Sequence, residues 1–433
     1  MKLKFAHISD CHLGAWRNDQ LNYLGYEAFE KAIQKSIEER VNFVIISGDL
    51  YDVSNPKVEV IDFATKNLYK LKEEGIPVYG IMGSHDFSPS DKSMIRPLIS
   101  AKLFINVSQG EKSDDNKLNL FFTEDEQTGI KLTGIRARKR SLERDDFEKL
   151  NRLALEKEKS PKIFVFHTML SELKPKEYKD MIDTPSSYLP KNFIYYAGGH
   201  IHKTLPEKLR EKKQIQLGEN KVVYPGCLSP VNFKELEEFN FGGFCIVSGN
   251  INDEDEKSDL IVEYIPIKTN DVISLTFNCD NKSVPQVKNI TKKKLDDLDI
   301  QNKIITLRFE GELSSGKSYE INSGEIIQSL KKRGAYEVLI NKNTLKSKEY
   351  LPIRVQVGKT NEEIENILIH EHSQKIKIKS LSSDLIENKI HKVLEILGKE
   401  RAEGAKVMEY ENELIQNFED IFDINNEEEG VQI

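Results

Sequence analysis

Short apolar segments alternate with amphipathic segments over roughly the first 268 residues. Continuous apolar runs are typical of strands buried on both faces, and they predict strands at residues 3–8, 43–46, 77–82, 163–166 and 193–197. Between the first two runs, Phe29, Ile33 and Ile37 recur at helical spacing, and Val60, Ala64 and Leu68 do the same before the third. Strand-like runs become more frequent after residue 199. The pattern therefore predicts an α/β fold in which a second sheet packs on the first.

The pattern changes near residues 268–270. Residues 271 to about 357 hold strand-like runs and one helix near 325–332, which predicts a small α+β domain. From residue 360 the pattern is helical, with two apolar stripes that include Ile390, Leu394, Leu397, Leu414 and Phe418. We therefore expect three parts: residues 1–268, residues 269–358, and a linker with helices at 359–433.

Composition narrows the class of protein. A chain of 433 residues is too long for one ordinary core, and 38% hydrophobic with 31% charged residues is typical of a soluble globular protein. No apolar run approaches the ~20 residues of a membrane span, and no secretory signal opens the chain. The four cysteines are scattered without a CxxC pair, which favours a reducing cytoplasm. The net charge of -8 argues against a globally basic surface, although local basic patches can still bind DNA.

Acidic residues and histidines gather directly after the predicted strands. In chain order these clusters hold Asp10 and His12, Asp49, Ser84 to Asp86, His167, and His200 with His202. In Asp10-x-His12 and in His200-x-His202, a single residue separates the two members of the pair, so both side chains lie on the same side of an extended backbone. Imidazoles and carboxylates are good ligands for Mn, Zn or Fe, and open α/β sheets place their sites at the carboxyl ends of strands. The clusters therefore predict a two-metal site for phosphoester hydrolysis.

Asp49 is the natural bridging carboxylate, because it ends the most buried predicted strand. Two cations ~3.5–4 Å apart can hold the attacking and the leaving oxygen together. Any one of the histidines, taken alone, is more often a hydrogen-bonded core or surface residue than a ligand. The set of five histidines with two or three carboxylates favours the metal site.

Five motifs in this order resemble those of calcineurin-like metallophosphoesterases: HISDCHLG, GDLYD, GSHD, FHTML and GGHIH. Within that superfamily, HISDCHLGAWR and the later YPGCLSP resemble the double-strand-break repair nucleases of the SbcD type, most of all their archaeal form. The resemblance covers residues 5 to about 230. It implies a two-sheet α/β sandwich with a capping domain and C-terminal helices, which acts as a 3′→5′ exonuclease and endonuclease on DNA.

The resemblance also implies two Mn²⁺ ions per chain and a set of ligands. One ion is expected at Asp10, His12, Asp49 and His202, and the other at Asp49, Ser84, His167 and His200. Position 84 departs from the family, which usually has Asn there. A serine hydroxyl is shorter and a weaker donor than a carboxamide oxygen, so the second metal is expected to bind more weakly.

The family uses the histidine at the position of His85 as a catalytic group. Such a histidine can stabilise the scissile phosphate or protonate the leaving oxygen. Asp86 is expected to orient its ring, and Asp52 to hold the loop. The alternative is that His85 replaces the missing Asn as a ligand.

Basic and aromatic residues near the motifs are candidate DNA contacts: Trp16, Arg17, Arg136, Arg138, Lys139 and Arg140. A solvated, charged surface is the alternative. His370 and His372 repeat the HxH spacing, but in a helix positions i and i+2 diverge, so these two are expected to lie on the surface.

The apolar stripes after residue 380 either pack on the same chain or dock in a partner's groove. The resemblance implies a coiled-coil ABC-type ATPase as that partner and a homodimer as the assembly. The sequence has no GxxxxGK[ST] loop, so ATP dependence has to come from the partner. Two competing hypotheses are a small-substrate phosphomonoesterase or phosphodiesterase, and a non-catalytic repair scaffold. The extra domain counts against the first, and the intact His85 against the second.

Overall fold

The structure is a computed structural model. It describes residues 2–88, 92–159, 161–219, 221–251, 259–348, 361–374, 376, 382–398 and 407–422. The chain divides into two compact units, Met1–Lys348 and Glu349–Ile433.

Within the described residues, all strands belong to the first unit, and they are numbered in chain order. They are β1 (Lys2–Ile8), β2 (Phe43–Ser47), β3 (Val78–Ile81), β4 (Ile105–Asn106), β5 (Gly110–Lys112), β6 (Leu118–Leu120), β7 (Thr123–Glu124), β8 (Lys131–Ile135), β9 (Lys162–His167), β10 (Tyr195–Gly199), β11 (Gln214–Gln216), β12 (Val222–Val223), β13 (Gly242–Asn250), β14 (Asp259–Ile267), β15 (Val272–Asn278), β16 (Ile304–Leu313), β17 (Glu337–Asn341) and β18 (Leu345–Ser347).

The helices are numbered in the same way. Those of the first unit are α1 (Asp19–Glu38), α2 (Val58–Glu73), α3 (Arg96–Ser100), α4 (Glu143–Glu148), α5 (Arg152–Glu156), α6 (Glu207–Lys212), α7 (Phe233–Phe239), α8 (Val284–Asp296) and α9 (Ser323–Lys332). Those of the second unit are α10 (Asn361–Ser373), α11 (Ser383–Leu397) and α12 (Val407–Phe422).

Two sheets form the centre of the first unit. The first has the order β11-β14-β13-β1-β2-β3-β4, and the second has the order β12-β10-β9-β8-β7. Strands β1 to β4 are parallel to one another, as are β8, β9, β10 and β12. The carboxyl ends of each parallel set therefore lie along one edge of its sheet, which is where the clustered acids and histidines follow in the sequence.

Apolar side chains fill the space between the two sheets. Phe5, Phe43 and Ile45 of the first sheet share a buried core with Val165 and Tyr195 of the second. The opposite face of the first sheet is covered by α1 and α2, and that of the second by α4 and α5. The predicted α/β sandwich of two packed sheets is confirmed, because strands buried on both faces need cover on both sides.

A third sheet, β15-β16-β17 with β18 paired to β16, belongs to the same unit. Helices α8 and α9 cover it through Val287, Leu295 and Leu330, which pack on Leu307 and Phe309. This is the predicted α+β region, although α8 was not expected. The boundary at residues 268/269 stays a prediction, and the one at 358/359 lies outside the described residues.

The second unit consists of α10, α11 and α12, and consecutive helices contact each other. Ile369 and Ile386 are buried, whereas Leu394, Leu397 and Ile415 are exposed. Within the described ranges, no helix combines the length and the apolar character needed to cross a membrane.

Candidate metal centre

The structure brings the seven predicted ligands together at the strand ends. Asp10 and His12 follow β1, Asp49 follows β2, and Ser84 follows β3. From the second sheet, His167 ends β9, and His200 and His202 follow β10. Most of these side chains are buried. Parallel strands of two packed sheets thus point all of them into one cleft.

One cluster consists of Asp10, His12 and His202. The Nε2 atoms of the two histidines lie only 3.1 Å apart, and Nε2 of His202 is 3.8 Å from Oδ1 of Asp10. The backbone N–H of His200 donates to both carboxylate oxygens of Asp10, at 3.1 Å each, and holds that carboxylate in place.

The other cluster consists of Asp49, His167 and His200. Oδ2 of Asp49 is 3.1 Å from Nε2 of His167, and the Ser84 hydroxyl lies 3.4 Å from the same oxygen. That oxygen is also 3.7 Å from Nε2 of His12 in the first cluster. Asp49 therefore lies between the two clusters, where a bridging carboxylate has to be.

The outer ring nitrogens of three of these histidines face oxygen atoms of the protein. Nδ1 of His167 is 2.8 Å from the Ser47 carbonyl oxygen, and Nδ1 of His202 is 2.9 Å from Oε1 of Glu235. Nδ1 of His12 lies 3.3 Å from Oδ1 of Asp52, although without hydrogen-bond geometry. A proton on Nδ1 leaves the lone pair of Nε2 directed into the cleft, which is the usual arrangement behind a metal-bound histidine.

The donor set fits two divalent cations. Nε2 of His167 is buried without a hydrogen-bond partner, because its contact with Asp49 lacks hydrogen-bond geometry. The two Nε2 atoms that face each other can share only one proton. Unpaired buried nitrogen atoms next to carboxylates are costly in a folded protein unless a cation satisfies them. Asp10, His12, Asp49 and His202 would hold one ion, and Asp49, Ser84, His167 and His200 the other.

The charges of the cleft are those of a cation site. Burial alone lowers the pKa of His12 and of His167, but the neighbouring carboxylates outweigh this effect. They raise the pKa of His12 to about 9 and, mainly through Asp49, the pKa of His167 to about 10. Burial and the nearby His167 lower the pKa of His200 to about 4, so this ring is neutral. The acids attract positive charge into the cleft, either as protons or as metal ions, and the two compete.

Several ligand residues adopt a left-handed backbone conformation that residues other than glycine rarely adopt. The φ angles of Asp10, His12, Asp49 and His200 are 49°, 44°, 51° and 89°. Such residues cost ~1–3 kcal/mol each and cluster at functional sites. Gly83 permits a close approach of the loops after β2 and β3, because a Cβ there would lie 2.2 Å from the backbone nitrogen of Asp49.

His85 lies at the exposed rim of the cleft. Its ring is 4.8 Å from that of His12, and its Nδ1 is 2.5 Å from the carbonyl oxygen of Asp52. Its backbone N–H donates to Oδ1 of Asp49 at 2.7 Å. The ring is thus held next to the predicted ligands.

The prediction that Asp86 orients the ring of His85 is wrong. The buried Asp86 carboxylate accepts hydrogen bonds from the backbone N–H groups of Leu50, Tyr51 and Gly83, and so ties the loops after β2 and β3 together. Burial and the charge of Asp49 raise its pKa to about 6. Asp52 contacts the His85 ring instead, through its carbonyl oxygen.

Two residues that support the ligands, Asp52 and Glu235, were not recognised as such in the sequence. Asp52 was expected only to hold its loop, and Glu235 was not singled out. Each lies next to a motif that the sequence does show, GDLYD for Asp52 and YPGCLSP for Glu235. Proximity to a motif was the only available signal, since the partner histidines are far away in the chain.

The predicted DNA contacts divide into two groups. Trp16 donates its indole N–H to the Pro230 carbonyl oxygen at 3.0 Å, and Arg138 pairs with Asp146 at 3.2 Å. The Arg136 guanidinium lies over the ring of Phe87. The exposed members are Arg17, Lys139 and Arg140, and Lys139 also donates to the Ser84 carbonyl oxygen. DNA contact by any of them stays a prediction.

Comparison with known proteins identifies relatives of the same kind. Residues 3–204 match the model of the family described as calcineurin-like phosphoesterase. The chain is similar to proteins named DNA double-strand break repair protein Mre11 from three archaea. The identity is 31% for Methanococcus maripaludis (58% of this chain, 63% of the relative). It is 28% for Archaeoglobus fulgidus (54% and 52%), and 27% for Methanocaldococcus jannaschii (65% and 75%).

The matches to the first two relatives span less than two thirds of those proteins' own lengths. The matched family region contains β1 to β10 and all seven clustered ligands, so the family match and the geometry of the cleft concern the same residues. Over residues 3–204, which hold the candidate metal centre, the chain is therefore similar to the calcineurin-like phosphoesterases.

Proposed function

We propose that the chain is a Mn²⁺-dependent DNA nuclease, both a 3′→5′ exonuclease and an endonuclease, that acts in double-strand-break repair. The observation that carries the proposal is the pair of N/O clusters that meet at Asp49, 3.1 Å from His167 and 3.7 Å from His12. The relatives' printed names support DNA as the substrate. Two cations, when bound, polarise a phosphodiester and activate water.

The side chains of the protein supply the remaining steps. Because the Asp52 carbonyl oxygen faces Nδ1 of His85, Nε2 of that ring is the atom that can stabilise the phosphate or give a proton to the leaving sugar oxygen. Asp10 and Asp49 hold their oxygens at fixed positions through backbone N–H donors. Lys139, next to Ser84, and the exposed Arg17 and Arg140 offer positive charge for the DNA backbone.

The function is tested with purified protein, linear duplex DNA and a choice of metal ion. We expect cleavage with Mn²⁺, poor cleavage with Mg²⁺, because imidazole-rich sites suit Mg²⁺ badly, and none with EDTA. Labelling of each strand end reports the polarity. Full activity in EDTA would contradict a metal-dependent mechanism.

Ser84→Asn is expected to tighten the second metal ion about tenfold without loss of cleavage, since a carboxamide oxygen reaches further and donates better than a hydroxyl. The hydroxyl now lies 3.4 Å from Asp49. Calorimetric titration with Mn²⁺ measures the change, and Ser88→Asn, in the same loop but outside the cleft, is the control. Weaker binding in Ser84→Asn would mean that the site geometry is adapted to serine.

For the second unit we propose helix-in-groove binding to a coiled-coil ABC-type ATPase. Leu394 and Leu397 are 39% and 54% exposed on α11, while Ile390, Leu414 and Phe418 are half-buried. Exposed leucines on consecutive turns are typical of a docking stripe. We further propose a homodimer, as the resemblance implies, and a prokaryotic, nucleoid-associated location.

The double substitution Leu394→Glu with Leu397→Glu is expected to weaken ATPase binding by ~10²-fold or more, since each buried leucine contributes ~1.5–3 kcal/mol. Nuclease activity and the melting temperature should stay unchanged. Leu153→Glu, at a leucine that is 69% exposed on α5, is the matched control. If the double variant unfolds but still binds the ATPase, the stripe belongs to the protein's own core.

A further inference from the structure

A short helix lies between a candidate metal ligand and the third sheet. This helix, α7, spans Phe233–Phe239, and Asn232 caps its first turn by accepting the backbone N–H of Glu235. Positions 235 and 237 are two residues apart, so their side chains leave the helix ~200° apart, on opposite faces. The same rigid element therefore presents one carboxylate to each side.

On one face, Glu235 holds His202. Its Oε1 lies 2.9 Å from Nδ1 of His202 and accepts the Asn232 side-chain amide at 2.6 Å. Its Oε2 accepts the backbone N–H of Val231 at 2.9 Å. Both oxygens are thus engaged, and the Glu235 side chain is 10% exposed. A carboxylate held at both oxygens fixes the orientation of the imidazole that it contacts.

On the other face, Glu237 binds the third sheet. Nε of Arg308, on β16, lies 3.1 Å and 3.2 Å from the two carboxylate oxygens of Glu237, and Nη2 makes a further short contact. The Arg308 guanidinium also lies over the ring of Phe233, 5.2 Å from its centroid. Between these contacts, Leu236 is buried with Ile304 of the same strand. Arg308 therefore contacts α7 at two points, and Leu236 adds an apolar anchor.

We propose that α7 couples the third sheet to the metal centre, with Arg308 and Glu235 as positioning residues for the ligand His202. The proposal deepens the proposed function, on which it rests for the identity of the metal site. If the third sheet shifts, Arg308 shifts α7 with it, and the Glu235 carboxylate moves away from Nδ1 of His202. Hydrogen bonds weaken steeply with distance and angle, so a small shift lowers the affinity for the cation held by His202. A ligand that displaces the third sheet thereby changes the affinity of the site for that cation.

The test measures Mn²⁺ affinity by calorimetry on the full chain, together with the melting temperature. Glu235→Gln should weaken binding at one of two sites by ~10- to 100-fold. Arg308→Gln should weaken the same site by ~3-fold or more, although Arg308 touches no candidate ligand. Glu237→Gln breaks the ion pair from the other side and should give the same change, and it decides the question if Arg308→Gln fails to fold.

Tyr336→Phe is the matched control. The Tyr336 hydroxyl donates to the Gln20 carbonyl oxygen at 3.0 Å, which joins the third-sheet region to α1. The Tyr336 ring packs on the apolar cluster that contains Leu236, and phenylalanine keeps that ring, so the substitution removes only the hydrogen bond to α1. This variant should leave Mn²⁺ affinity unchanged. The double variant Glu235→Gln with Arg308→Gln should bind no more weakly than Glu235→Gln alone, because both changes act through one contact.

Two results would overturn the coupling: equal Mn²⁺ affinity in Arg308→Gln, Glu237→Gln and Tyr336→Phe, or additive losses in the double variant. Neither result affects the proposed nuclease activity of the unaltered chain. Conversely, an unaltered chain that binds Mn²⁺ but leaves DNA intact would contradict the proposed function, while the affinity series would still decide the coupling.

Discussion

Asp49→Asn should abolish binding of both metal ions and reduce Mn²⁺-dependent DNA cleavage at least ~10³-fold, because the cations supply several kcal/mol of transition-state stabilisation. Oδ2 of Asp49 is the atom that lies between the two clusters, 3.1 Å from Nε2 of His167 and 3.7 Å from Nε2 of His12. A carboxamide has one oxygen donor and no negative charge, so it cannot bridge two cations. The substitution keeps the shape of the side chain and an oxygen that can accept the His85 backbone N–H.

Elemental analysis and cleavage of end-labelled duplex DNA measure the two effects. Asp125→Asn is the matched control, since Asp125 is equally buried but accepts hydrogen bonds from Tyr79 and Thr128 away from the clusters. It should change the melting temperature and leave the metal content intact. An Asp49→Asn variant that retains two ions per chain would rule out a bridging role.

His85→Asn should lower the rate of cleavage by ~10²-fold or more and leave both metal ions bound, which is the effect expected for loss of a general acid. The ring is exposed at the rim, and its Nδ1 contacts the Asp52 carbonyl oxygen and not a carboxylate. Asparagine keeps the backbone N–H that donates to Asp49, so the loop should stay in place. The substitution removes only the titratable ring next to the ligands.

Single-turnover kinetics and the metal content of the same preparation separate the two roles of His85. His370→Asn is the control, because His370 pairs with Glu387 on the second unit. It should alter neither rate nor metal content. Loss of one ion in His85→Asn would make His85 a ligand that compensates for Ser84, and would contradict its role as a catalytic group.

Much of the central fold was predictable because local pattern and tertiary environment agree there. The apolar run at residues 43–46 is typical of a strand buried on both faces, and it forms β2, an interior strand of the first sheet. Strands β5 to β8 and α8 were missed. Strands β5 and β6 have three residues each, too few for a pattern that is specific for a strand. Helix α8 does carry a helical signal, because Val284, Val287, Thr291 and Leu295 are buried at helical spacing behind a capping box of Ser283 and Gln286.

The candidate ligands could be predicted from the sequence for a related reason. Parallel strands bring their carboxyl ends to one edge, so acids and histidines that follow successive strands converge whatever the loops do. The supporting contacts carry no such periodicity. Glu235 meets His202 across 33 residues, and Asp86 holds loops 35 residues upstream. Asp86 was predicted to orient the ring of its neighbour His85, yet the side chains of adjacent loop residues point in different directions.

The order of apolar runs and strand-end motifs in the chain is enough to specify the class of fold and the chemistry of the cleft, because both depend on residues near one another in sequence. The orientation of each imidazole, the contact of Asp52 with His85 and the position of α7 between His202 and Arg308 depend on pairs that are distant in the chain. Such pairs form only when two sheets pack at a particular distance and register. Their energies are set by packing geometry, which no local pattern of residues encodes.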